Sequence, residues 1–150
     1  MGQYLKYIIP AIGITIGSSL YYAVTLLQEP NPISQFNRQV SDIEVYPGKS
    51  ITITSDVVRT RDGCTSTIRR TWLDSNGNEY RETDVDRQAL PAGEENFFVT
   101  LTIPPKVSKG TLRLHTDVEF YCNRPQKIMR HGSVLHLPDI FFRVSKLETK

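Results

Sequence analysis

Ser66–Leu73, STIRRTWL, followed by Asp74-Ser75-Asn76-Gly77-Asn78 and then by Tyr80–Val85, YRETDV, is the passage that decides the fold. The first run is rich in β-branched and aromatic residues. Ile68 and Arg70 share one face at a period of two, and no 3.6-residue repeat competes with it. Asn76-Gly77 supplies two residues that accept positive φ, as a tight hairpin turn requires. The passage therefore predicts two antiparallel strands joined by a short turn.

The same signals recur in both directions. Asp42–Tyr46 alternates and stops at Pro47-Gly48, and Ser50–Thr60, SITITSDVVRT, is rich in β-branched residues and begins with strict alternation. Asn96–Ile103 follows Pro91-Ala92-Gly93, Thr111–Cys122 follows Pro104-Pro105 and Gly110, and Gly132–Lys146 closes the chain. Turn signals at these intervals predict an antiparallel sandwich of about seven to eight strands. Pro138 has no N–H to give a ladder, so the last strand is expected to be an edge or to change sheets there. Phe97-Phe98 and Ile140-Phe141-Phe142 each put neighbouring aromatics on opposite faces, one inward and one toward a partner.

The N-terminal part reads differently. Lys6 is the only charged side chain before Gln28, and all 16 Asp and Glu lie beyond it. The stretch Tyr7–Leu27, YIIPAIGITIGSSLYYAVTLL, would span about 31 Å as a helix, close to the hydrocarbon thickness of a bilayer. Residues 1–27 are thus expected to form a transmembrane signal-anchor helix, with the N-terminus cytoplasmic and the C-terminal domain exported to a periplasmic or extracellular space. A cleaved secretory signal is the rival reading, and it places the domain on the same side. Gly13 and Gly17 form a G-x-x-x-G pair on one helix face, a candidate surface for helix pairing and self-association. Residues 28–35, with two prolines, read as an extended tether reaching at most about 26 Å, and residues 36–150 as the β-sandwich domain.

Cys64, then Trp72, then Cys122 is an order that resembles the Cys…Trp…Cys pattern of immunoglobulin-like domains. Trp72 follows Cys64 by eight residues, and Phe120 stands where that family's tyrosine corner would put Tyr. The resemblance therefore implies the sandwich and not the family's central inter-sheet disulfide. The fold class expected from the sequence is mainly β: an N-terminal single transmembrane helix followed by an antiparallel immunoglobulin-like β-sandwich.

Two cysteines in an exported domain predict a Cys64–Cys122 disulfide, whose loop closure is worth about 4 kcal/mol. The bridge would tie the loop holding Arg59 and Arg61 to the one holding Arg124, Lys127 and Arg130. These five residues are the expected basic binding patch, facing anionic headgroups or an acidic partner. A formal net charge of +2 gives no reason to expect nucleic-acid binding.

No nucleophile elbow, phosphate loop, HExxH or CxxC occurs. His115, Asp117 and Glu119 share a strand face, which reads as a solvated surface before it reads as acid–base machinery. Glu79, Glu82, Asp84 and Asp86 lack the ordered spacing of a calcium loop. The three histidines, His115, His131 and His136, show no zinc-ligand spacing with the cysteines. The expectation is no catalytic residues, no metal and no cofactor. The function expected is a non-enzymatic membrane-anchored binding or assembly module presenting its sandwich to another membrane, envelope or particle protein. Two alternatives remain: a secreted domain binding an anionic ligand or glycan through its basic loops, and a structural protein of a bacteriophage virion or envelope. A hydrolase centred on His115 is a third.

Overall fold

The computed structural model describes residues 16–22 and 31–145. Residues 16–22 are helical (α1) and exposed. Nine strands follow: β1 (Ile33–Val40), β2 (Glu44–Val45), β3 (Ser50–Arg59), β4 (Cys64–Leu73), β5 (Glu79–Arg81), β6 (Val85–Leu90), β7 (Gly93–Thr102), β8 (Gly110–Tyr121) and β9 (Ser133–Val144), with a second helix, α2 (Arg124–Met129), between the last two.

The expected transmembrane helix is corrected. Among the described residues no helix is long and apolar enough to cross a membrane. At 1.5 Å per residue, residues 16–22 cover about 10 Å, a third of the hydrocarbon thickness. The rest of the expected span, residues 7–15 and 23–27, lies outside the described residues. The fold class that stands is mainly β, with nine strands among the described residues.

The strands form two sheets, one ordered β1-β3-β7 and the other β2-β9-β8-β4-β5, with β6 also pairing β4. Strand alternation explains how they pack. On β3, Ile51, Ile53 and Val57 are buried, and their neighbours Thr52, Thr54 and Val58 are more open. One core cluster sets Ile51, Ile53 and Leu101 with Trp72, Leu112, Leu114 and Phe142. Trp72 is wholly buried, 5.7 Å from the Phe142 ring, and its indole N–H donates to Glu82 at 2.8 Å. A second cluster holds Ile68, Val118, Phe120 and Leu137, with Phe36 and Cys122 packed against it.

A hairpin turn forms at residues 74–78, but not as read: Gly77 takes positive φ, 82°, Asn76 does not, and the Gly77 N–H closes the turn on the Asp74 carbonyl at 3.0 Å. The Asp74 carboxylate organises it, accepting from the backbone N–H of Asn76 and Asn78, both at 2.9 Å, and of Ser108 at 3.1 Å. Burial acts to raise its pKa. These hydrogen bonds outweigh that effect and hold the carboxyl below the ordinary carboxylate range.

Three elements differ from the sequence reading. Tyr80–Val85 is split between β5 and β6, because Glu82 turns its side chain to Trp72 and its N–H to the Arg70 carbonyl. β1 begins at Ile33, within the stretch read as a tether, because β3 supplies its hydrogen-bond partners from Ile33↔Arg59 to Val40↔Ile53. Helix α2 occupies what reads as a loop. Pro138 sits at a register shift in β9: Leu114 faces Ile140 and Thr116 faces Leu137, so Pro138 and Asp139 both lie opposite His115.

Candidate functional site

Cys64 opens β4, and Cys122 directly follows β8. These strands are neighbours, with Thr65 opposite Tyr121, and the two sulfurs are bonded. The disulfide thus joins adjacent strands of one sheet. Just beyond it, Asn123 caps α2: its side chain accepts from the Gln126 N–H at 2.8 Å, and the Gln126 side chain accepts in return from Asn123 N–H at 3.3 Å. Gln126 is buried and also takes the Cys122 N–H at 2.8 Å. The helix ends at Arg130, in the left-handed conformation at φ 49°. Gly132 then passes so close to Phe120 that a Cβ there would lie 2.2 Å from the Phe120 carbonyl oxygen. No other residue fits that crossing.

This framework presents Arg124, Lys127, Ile128, Met129 and Arg130 to solvent, with Ile128 73% and Met129 63% exposed. The Lys127 ammonium donates to the Gly63 carbonyl at 3.2 Å. Thr60, in the same loop, donates its N–H to Pro32 at 2.8 Å. The start of β1, the β3–β4 loop and α2 therefore share one pole of the sandwich. Below α2 an open groove of about 740 Å³ is lined by Arg69, Asp84, Asp86, Arg87, Tyr121, Lys127 and Arg130, among others. Its carboxylates are occupied: Asp84 by Arg69 and Arg81, and Asp86 by the Thr67 hydroxyl at 2.7 Å. Glu119, beside it, is held by Arg69 at 2.7 Å and by the Gly132 N–H at 3.0 Å. Burial acts to raise the Glu119 pKa, and these donors bring it below the ordinary value.

Of the five expected patch residues, the structure brings Arg124, Lys127 and Arg130 together on α2, with Arg61 half-buried in the loop facing them. Arg59 is not with them. As an inward position of β3 it enters the space between the sheets and pairs with Glu95 at 3.0 Å. There Arg38 and Arg70 line a small cavity of about 40 Å³ with Phe36, Ile68 and Val118. Burial, then the neighbouring Arg70, lower the Arg38 pKa to about 10. Gly17 has open space around it, and Gly13 lies outside the described residues. Glu79, Glu82, Asp84 and Asp86 do not converge: Glu82 serves Trp72, while Asp84 and Asp86 serve the groove.

The paired aromatics divide as the alternation predicts. Phe142 is buried and Phe141 57% exposed; Phe97 lies under the Arg87 guanidinium at 4.8 Å while Phe98 is 74% exposed.

No family model and no curated protein matches the chain. Solved structures similar to it include Spo0M, a sporulation control protein of Bacillus subtilis, at TM-score 0.47 and 13% identity, over 77% of this chain and 50% of that one. A Niemann-Pick type C2 protein from the Japanese carpenter ant scores 0.47 at 8% identity, covering 75% of this chain and 91% of that one. The CARDB domain of a Pyrococcus furiosus protein scores 0.41 at 13% identity, covering 80% of this chain and 100% of that one. The chain spans half the length of the Spo0M structure. The likeness is to mainly β, sandwich-like folds and extends to no activity, since some of the similar structures are enzymes and others are not.

Proposed function

We propose that this protein is a non-enzymatic binding module of an exported compartment, which docks its disulfide-tied pole on the acidic face of another envelope or particle protein. One observation carries the reading. Two large apolar side chains, Ile128 and Met129, stand exposed among Arg124, Lys127 and Arg130 on a helix fixed by a capping box, a disulfide and a glycine crossing. Apolar anchors ringed by cations suit a partner whose apolar pocket has an acidic rim. Holding the helix rigid before contact reduces the ordering entropy that binding costs. The disulfide supports export, because such bonds persist in oxidising compartments. Display of loops and a short helix at one pole also agrees with the finer, immunoglobulin-like reading of the sandwich.

A photo-cross-linking residue placed at position 128 of the full chain, in its native cells, tests this. The expected result is one dominant protein adduct, lost when Arg124, Lys127 and Arg130 are all changed to Glu. A probe at Asn76, in the β4–β5 turn, should give no such adduct. Equal adducts from both positions, or an adduct indifferent to charge reversal, would overturn the reading. So would salt-sensitive sedimentation with anionic vesicles and no protein adduct, which would assign the pole to lipid headgroups.

A further inference from the structure

We propose that the outer face of the β8–β9 pair is a binding site for a zinc-class divalent cation, formed by His115, Asp117 and His136, with Asp139 as the positioning residue. His115 and Asp117 are two apart on β8 and so share its outer face. His136 on β9 lies directly opposite Asp117 in the ladder. One donor atom from each of the three falls within 4.8 Å of the others. Asp117 Oδ1 is 3.1 Å from His115 Nε2 and 2.7 Å from His136 Nδ1. In a tetrahedral zinc site, donors about 2.1 Å from the metal are about 3.4 Å apart. That spacing falls between the shortest of these distances, 2.7 Å, and the 4.8 Å limit within which all three atoms lie.

The second observation is what holds His115. The bulge at Pro138 delivers Asp139 to the other side of the ring, where its carboxylate meets His115 Nδ1 at 2.7 Å. Arg113 holds the second Asp139 oxygen at 3.5 Å. A carboxylate on one imidazole nitrogen fixes the tautomer with the proton on Nδ1 and leaves the Nε2 lone pair free. This is the usual outer partner of a metal-bound histidine. Carboxylates face both nitrogens of His115, so with Nδ1–H given to Asp139 the Nε2 side takes either a second proton or a cation. A cation among Nε2, Asp117 Oδ1 and His136 Nδ1 satisfies both sides at once.

Two imidazoles and one carboxylate suit zinc and its neighbours rather than calcium or magnesium, which favour all-oxygen shells. The exposed position of His136 leaves the fourth coordination place to water or to a partner's ligand.

The test uses the full chain, free of histidine tags and stripped with chelator, titrated with zinc alone against a chromophoric competitor. One zinc per chain is expected. His115→Ala or His136→Ala should weaken uptake at least 100-fold, and Asp139→Asn by about 10- to 100-fold, with each variant's unfolding midpoint in chelator checking that it folds. His131→Ala, outside the cluster, should bind as the unaltered chain does. Cobalt substitution should give the visible bands of a four-coordinate site. No stoichiometric uptake, or equal loss in the His131 variant, would overturn the proposal. Unchanged affinity in folded Asp139→Asn would remove the positioning role.

Discussion

Replacing Cys64 and Cys122 together by Ala changes the folded state little and the unfolded state greatly. The strands they join are already hydrogen-bonded neighbours, so the bridge adds scant new order to the native ladder. In the unfolded chain it closes a loop between residues 58 apart in sequence. Opening that loop restores about 14 cal/mol/K of chain entropy, or about 4 kcal/mol at 25 °C. For a domain of this size the melting temperature should fall by roughly 15 °C. The urea slope should rise as well, because the freed chain exposes more surface when unfolded. Urea melts of the oxidised full chain and of the double variant measure both quantities. A loss below about 1 kcal/mol with an unchanged slope would refute the reasoning. Proteolysis then confined to Arg124–Arg130 would show the bond to be a local clamp on α2.

Other outcomes follow from the inter-sheet layer and the β8–β9 face. Glu95→Ala leaves Arg59 buried without its counter-charge and should cost about 3 kcal/mol in a urea melt, most of it recovered when Arg59→Met is added. The Asp139 hydrogen bond raises the His115 pKa above its ordinary 6.5; Asp117 assists, while burial and Arg113 oppose. A raised folded-state value means that this stabilisation is complete below the unfolded pKa and lost as pH rises through the folded one. In chelator, the gap in unfolding midpoint between the unaltered chain and Asp139→Asn should therefore be widest near pH 5.5 and shrink above neutrality. A gap that widens with pH would contradict this.

The long β-branched runs were legible because burial on one face forces period-two alternation, and β3, β7 and β8 follow it. The turn after β4 was legible because Gly77 accepts a left-handed backbone that few residues do, although Asn76 does not share it. β1 was hidden: Ile33–Val40 carries too few apolar residues to announce a strand, and the edge that defines it is paired by β3. α2 was hidden because six residues give no helical period, and its signal, Asn123 with Gln126 three residues on, is local and easily taken for a turn. The interior arginines were hidden too. Arg70 shares its face with Ile68, but only the second sheet shows that this face is covered. Of the span read from Tyr7–Leu27, residues 16–22 are described, and the helix there is too short to cross a bilayer.

Composition and period by themselves determined that this chain makes a mostly β domain, because alternation is a local property of the residues; the Cys64–Cys122 bond was an expectation that the pairing of β4 with β8 makes possible. Only the tertiary structure decided which charges meet. Registry across β8 and β9 sets His136 opposite Asp117, and one bulge at Pro138 turns Asp139 onto His115. Pairing between strands depends on hydrogen bonds that no single strand contains. The stretch STIRRTWL therefore announced a strand, and its neighbours decided that Arg70 and Trp72 lie in the core while Arg69 reaches the groove.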